Sequence, residues 1–394
     1  MKILHVIRGL ANSSGTTHIV VPLSEEQARL GCEVTVLHVR KGAQPPVIPD
    51  PSLVASHCFP ATLPLDNPGV SWGFARALSA RIHTFDVAHI HAVWNFPTWL
   101  TMRAACKAGV PYMVAPQGSL EPWAFAHGSR VRRIYARQVE RPLLARATRL
   151  QALTETEAEQ FRAFGLNTPT AIIPNGVTAD WLDGERSHLA ARLNLPPGSQ
   201  TLLFLSRVHP KKGLDLLLRA FAATLSTLPG VVLVVAGSDA GSGYGEQMRA
   251  LAQELGLGER CRFIGEVRGA EKRAVLTGAD AYALASHSEG LPVAVVEAMA
   301  SALPVLITPG CNLPEVVSAD AGLMVAPQVD AVAAGLRTLF ADPARMRAWG
   351  MQGRALVRER FTWPQIARNT LAVYEDMIEP GRRTATTGPA IPLQ

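Results

Sequence analysis

Two short segments in the second half of the chain carry residue types able to do chemistry on an anionic ligand. The first is SRVHPKKG at 206–213. It follows an apolar run and precedes an amphipathic one, which makes it a strand-to-helix turn. In open α/β sheets, ligands bind beyond the carboxyl ends of the strands, where such turns lie. A departing diphosphate carries about two negative charges that must be offset. Arg207 can fork two phosphate oxygens, and Lys212 can supply a compact positive charge. A solvated basic loop has the same composition, and the position after a buried strand is what favours a ligand. The second segment is SHSEGLPVAVVEAMA at 286–300, again after an apolar run. Gly290, followed by Leu291, lets backbone approach a ligand closely. Pro292 suits the first turn of a helix whose amides can face an anion. Glu289 precedes that helix and Glu297 lies within it. The axial rise from Pro292 to Glu297 is about 8 Å at 1.5 Å per residue, comparable to the span from a diphosphate to a ribose. One carboxylate can then read a sugar and the other the ribose hydroxyls. A glutamate inside a helix is ordinarily solvated, but Glu297 stands in VVEAMA, where a carboxylate needs a partner.

These segments need a sheet to hold them. Near-continuous apolar runs at Thr201–Val208, Val231–Ser238, Cys261–Val267, Ala281–His287, Pro304–Thr308 and Gly322–Ala326 read as strands covered on both faces. Helical patterns lie between most of them, such as Leu214, Leu217, Leu218, Phe221 and Leu225. That alternation predicts a parallel, doubly wound sheet. The first half repeats the scheme with strands at Lys2–Ile7, Glu33–Val39, Val87–His91, Tyr112–Ala115 and Arg149–Leu153, and a helix at Val20–Leu30. The proline-rich stretch 44–68 reads as a loop. Pro174-Asn175-Gly176 and Pro196-Pro197-Gly198 mark a domain boundary. Trp363-Pro364 opens a last helix.

With both motifs in this order, the chain resembles the retaining glycosyltransferases of family 4, which have the GT-B fold. The pair Glu289–Glu297 in EGLPVAVVE matches their E-x7-E signature, and SRVHPKKGLDLLLRAF matches their phosphate-binding segment. IPNGV at 173–177 and FTWPQIARNTLAVYEDM at 361–377 are also similar. The resemblance implies two Rossmann-like domains facing across a cleft: an acceptor-side domain at 1–180 and a nucleotide-sugar domain at 195–362. It also implies a helix at 363–380 returning to the first domain; the polar, Pro- and Gly-bearing stretch 381–394, without period, reads as a frayed tail. By carry-over, Arg207 and Lys212 hold the diphosphate, Glu289 contacts the donor sugar and Glu297 the ribose. Backbone near Val267 in FIGEVRG touches the base. GLANSSG at 9–15 resembles the family's glycine-rich loop, which places Gly15 near the transferred sugar; an ordinary turn reads the same. His91, at a strand end, is an acceptor-side candidate, though a lone histidine is more often structural. Many members carry a histidine where Gln117 stands here. Gln117 can bond a hydroxyl but cannot titrate, so the proton acceptor stays open.

The implied reaction is transfer of a hexose from a nucleoside-diphosphate sugar to a saccharide or lipid-linked saccharide, in bacterial exopolysaccharide or lipopolysaccharide assembly. The anomeric configuration is kept. No Asp-x-Asp occurs and the scattered histidines are not read as a paired metal-ligand spacing, so no metal or cofactor is expected beyond the donor itself. Alternatives are a nucleotide-sugar epimerase of the same fold or an inactive relative; GLANSSG in place of G-x-G-x-x-G weakens a nicotinamide enzyme. Net charge is +6, without a zinc pattern or an aromatic RNA-binding strand, so nucleic acid is not expected. Five separated cysteines suit a reducing cytoplasm. Seven arginines fall between Arg130 and Arg149. Arg130, Arg133, Arg137 and Arg141, with Trp123 and Phe125, could rest on an anionic inner membrane face, unless they are a solvated face with Glu140 as local partner. Thr154–Glu157 reads as a helix capping box.

Overall fold

A computed structural model describes residues 1–11, 15–40, 46–62, 69–120, 135–184 and 186–379. The chain divides into two compact units: Met1–Pro174 together with the residues from Trp363 onward, and Asn175–Thr362. The segment between Asn175 and the next strand therefore packs with the second unit.

The first unit holds seven strands: β1 (Lys2–Ile7), β2 (Glu33–Val39), β3 (Ala55–Phe59), β4 (Val87–His91), β5 (Tyr112–Ala115), β6 (Arg149–Ala152) and β7 (Thr170–Ile172). They pair in the order β3-β2-β1-β4-β5-β6-β7, every pair parallel. The stretch read as a loop at 44–68 thus contains a strand. β3 is an edge strand, and its residues ASHCF are half-buried or exposed. It lacks the apolar run that marks a strand covered on both faces. On one face of the sheet, Ile3, Ile7, Val34, Val36 and Val87 pack with Val20 and Leu23 of the helix Thr17–Arg29. Trp363, Ile366, Tyr374 and Met377 of the helix Trp363–Ile378 complete that layer.

The second unit holds six strands: β8 (Gln200–Leu205), β9 (Val231–Ala236), β10 (Cys261–Gly265), β11 (Ala281–Leu284), β12 (Val305–Ile307) and β13 (Gly322–Met324). Their order is β10-β9-β8-β11-β12-β13, again parallel throughout. Every residue of β9 is buried, as helices on both faces require. The helix Leu214–Ala222 buries Leu214, Leu216, Leu217, Leu218, Ala220 and Phe221. Each large apolar side chain so buried contributes about 1.5–3 kcal/mol. In both sheets the strand order reverses direction at one place, between β1 and β4 and between β8 and β11. Such switch points open a crevice at the carboxyl ends of the strands. Among the described residues, no helix is long and apolar enough to cross a membrane.

Candidate active site

The two segments that drew attention in the sequence leave the strands on either side of the second unit's switch point. SRVHPKKG follows β8 and SHSEG follows β11, and β8 and β11 are neighbours. Backbone contact locks them together, since the His287 amide donates to the Lys211 carbonyl at 2.9 Å. Thr308 Oγ1 donates to the Ser286 carbonyl at 2.6 Å, and Asn312 Nδ2 to the Glu289 carbonyl at 2.5 Å. Gly213 ends the short turn Pro210–Lys212 in the left-handed region, at φ 64°. A Cβ on Gly213 would lie 2.0 Å from the Ala285 carbonyl oxygen. Absence of a side chain is what permits this approach. Gly213→Ala is expected to cost about 2–4 kcal/mol of stability through strain and the forced shift of one segment. A urea midpoint equal to that of the parent protein would contradict this.

Across that contact, Lys212 Nζ lies 2.6 Å from both Glu289 carboxylate oxygens. Ser286 Oγ adds a 2.7 Å bond to Oε1. Both charged side chains are largely buried, with relative exposures of 13% and 9%. Glu297 projects from the helix Val293–Ala300 and is likewise buried. Its partner is a residue the sequence did not mark: Lys272, whose Nζ lies 2.7 Å from Oε1 and 2.6 Å from Oε2. Lys272 sits in EKRAV on an amphipathic helix, Gly269–Gly278, and reads as a solvated charge there. Only the demand of Glu297 for a partner hinted at it. Arg207 is exposed, and no carboxylate pairs with it among the described residues. The His209 imidazole is held below its ordinary pKa by burial, then by the charges of Arg207, Lys212 and Lys211. The turn is therefore a locally positive field. Leu291 and Val267 are buried, Val267 two residues beyond β10, and Gly290 is part-buried between Glu289 and the helix.

In the first unit the candidates are set differently. Gly15 has no contact within 4 Å of a would-be Cβ, so the space around it does not demand a glycine. Gln117 follows β5 in the left-handed region at φ 55°, and Gly118 follows at φ 74°. Glu157 pins this turn, accepting the Gly118 amide at 2.6 Å and the Leu153 amide at 2.7 Å. The expected capping box is thus only half present. Thr154 Oγ1 accepts the Glu157 amide, but the glutamate carboxylate spans two loops instead of returning to the cap. Glu140 is not a surface partner for the neighbouring arginines. It is buried, accepts the Trp94 amide at 3.0 Å, and burial lifts its carboxyl to about 7. Arg141 is engaged by the Gly165 carbonyl at 3.0 Å. Arg130, Arg133, Trp123 and Phe125 lie outside the described residues.

His91 is 1% exposed, inside a hydrogen-bonded cluster that spans elements far apart in sequence. Its Nε2 lies 2.9 Å from His5 Nδ1, and His5 Nε2 lies 2.7 Å from Gln27 Oε1. Gln27 Nε2 donates to Tyr374 Oη at 3.5 Å, and that hydroxyl lies 2.6 Å from His89 Nδ1. The Gln27 oxygen fixes the His5 proton on Nε2, so His91 Nε2 must donate to His5 Nδ1. Ring nitrogens of His5, His89 and His91 all lie within 4.8 Å of one another. Scattered in the sequence, these histidines are gathered because His5 and His89 are in register across β1 and β4, and His91 shares the face of His89.

Two doubly wound parallel units, the second with basic and carboxylate pairs at its switch point, have the architecture of GT-B glycosyltransferases. Residues 185–356 match the family described as glycosyl transferases group 1, and residues 14–176 match a glycosyl transferase 4-like domain. A D-inositol 3-phosphate glycosyltransferase of Kineococcus radiotolerans is 30% identical, the match covering 94% of this chain and 92% of the relative. One from Segniliparus rotundus is 33% identical over 61% of this chain, spanning 55% of that relative's length. The crystal structure of Anabaena HepE in complex with UDP-glucose superposes with a TM-score of 0.72 at 19% identity, over 95% of this chain and all of that one. The chain belongs to the group 1 glycosyltransferases, family 4, of the GT-B fold.

Proposed function

We propose that the protein is a retaining, metal-independent hexosyltransferase whose donor is a nucleoside-diphosphate sugar held by the second unit. The observation that carries this is the assembly at the β8–β11 switch point. Lys212 and Glu289 are clamped together there, Arg207 is held out on a positive turn, and Glu297 is fixed by Lys272. Arg207 and Lys212 stabilise the leaving diphosphate. Pro292 gives the 293–300 helix no side-chain cap, which leaves its first amides for the same anion. Glu289 orients the sugar and Glu297 the ribose, with Gly290, Leu291 and backbone at Val267 completing the donor pocket. Charge of oxocarbenium type develops on the sugar, and the acceptor attacks from the face the diphosphate leaves. Metal is not required because fixed cations and amides offset the diphosphate.

The acceptor is a saccharide or lipid-linked saccharide, bound by the first unit near Gly15 and Gln117. The setting is cytoplasmic polysaccharide assembly, with contact to an anionic inner membrane face when the acceptor is lipid-linked. The matched D-inositol 3-phosphate glycosyltransferases favour a second acceptor class, a small phosphorylated polyol. A panel of UDP-, GDP- and ADP-sugars tests the donor, with binding and hydrolysis measured in the presence and absence of EDTA. One nucleotide sugar is expected to bind and to turn over equally with chelator. If none binds, the reading fails.

A further inference from the structure

We infer that Lys272 is a positioning and specificity-determining residue: it holds Glu297 charged and aimed, so that the pair selects a ribonucleotide donor by its ribose hydroxyls. This rests on the donor-site reading above. A carboxylate as buried as Glu297 must be partnered to stay charged. Lys272 meets both its oxygens, at 2.7 and 2.6 Å, which fixes the rotation of the carboxylate about its last bond. The lysine is fixed in turn from behind. Its ammonium lies 5.6 Å from the centre of the Trp181 ring, and Arg273 lies over the same ring at 5.3 Å. Arg273 is itself paired with Asp180. Lys272 is thus held between an aromatic face, where a cation is attracted by the ring quadrupole, and the carboxylate it serves. An ionised carboxylate offers about four acceptor positions. With the ammonium bridging the two oxygens, one outward-facing position is left on each, open to donation from a ribose hydroxyl. Loss of the lysine frees the carboxylate to rotate or to take a proton, and either change weakens its acceptance of ribose hydroxyls. Lys272 does not touch the reacting atoms and acts through Glu297.

The test measures dissociation constants of UDP, GDP and ADP, and of their 2′-deoxy forms, on the full chain by calorimetry. The parent protein is expected to prefer the tightest-binding ribonucleotide over its deoxy form by about 10- to 100-fold, the size of one charge-assisted hydrogen bond. In Lys272→Met that ratio is expected to fall toward one, and Lys272→Arg is expected to keep most of it. The double variant with Glu297→Gln is expected to bind no worse than Glu297→Gln alone, because the two residues act as one. A thermal midpoint for each variant shows that it is folded, and Lys272→Gln replaces the methionine variant if that one is not. A ratio unchanged in Lys272→Met, or losses that add in full, overturns the inference while leaving the donor site standing. A ratio unchanged in Glu297→Gln overturns the donor-site role of Glu297 and the inference with it. No binding of any of the three nucleotides by the parent protein overturns the donor reading itself.

Discussion

Replacing Lys212 with alanine is expected to lower turnover of the sugar nucleotide about 100- to 1,000-fold, the loss seen when one preorganised group facing developing charge is removed. In the donor reading proposed above, the Lys212 ammonium, fixed at a turn that leaves the switch point, is the charge a departing diphosphate would meet without reorganisation. The same change strips Glu289 of its cation in a buried place. An uncompensated buried charge costs about 3–5 kcal/mol, so Lys212→Ala is also expected to unfold more easily. The two effects separate in the double variant Lys212→Met with Glu289→Gln, which removes both charges together. Its thermal midpoint is expected to recover most of the loss while its turnover stays low. Donor hydrolysis by these proteins and by Glu289→Gln alone, which carries the loss of the sugar contact by itself, is measured beside their thermal midpoints. The double variant is expected to turn over more slowly than Glu289→Gln. Turnover restored along with stability would show that Lys212 serves only the fold.

Acid is expected to unfold the first unit well above the range in which ordinary carboxylates titrate. His5 is held at about 4 by burial, against the opposing bond to Gln27. His89 and His91 are held well below the usual imidazole value, first by burial and then by neighbouring imidazoles. The unfolded chain takes up protons near pH 6.5 and the folded cluster does not. Stability is therefore full above about 6.5 and is lost as pH falls toward 4, with His5 alone accounting for roughly 3 kcal/mol over that interval. Glu140 works in the opposite sense. Its carboxyl, raised to about 7, takes its proton before the unfolded chain does and so favours the folded state as pH falls. Three histidines outweigh one glutamate. Thermal midpoints between pH 7.5 and 4.5 are expected to drop steeply below 6.5, and His5→Asn is expected to flatten the slope. A level curve through this range would rule out the neutral cluster.

The sequence yields most readily those elements whose environment is uniform. β9, covered on both faces, shows as an unbroken apolar run, and β8 and β11, which place Lys212 and Glu289, show as near-continuous ones. β3 does not show, because an edge strand with half-exposed residues has no such run. Side chains that serve the site from a distance are equally hidden. Lys272 looks like any solvated lysine until Glu297 is folded against it, 25 residues away. Glu157 carries a capping pattern, yet its carboxylate crosses to Gly118, 39 residues earlier. The histidines at 5, 89 and 91 meet only through strand register, and Tyr374 joins them from 285 residues beyond His89. Local spacing shows what a helix or turn needs, but it does not show which distant loop a long side chain will reach.

That last contact also bears on the order in which the chain is made. The layer over β1, β2 and β4 is closed by Trp363, Ile366, Tyr374 and Met377, which leave the ribosome only after the whole second unit has been synthesised. Until then the nascent first unit carries an uncovered apolar face and a histidine cluster short of its tyrosine hydroxyl. The second unit is continuous in sequence and is free to fold on emergence, whereas the first must wait, open, for a helix translated nearly two hundred residues later. Its period of exposure to chaperones and to aggregation is thus set by translation speed through the intervening unit, not by its own folding rate.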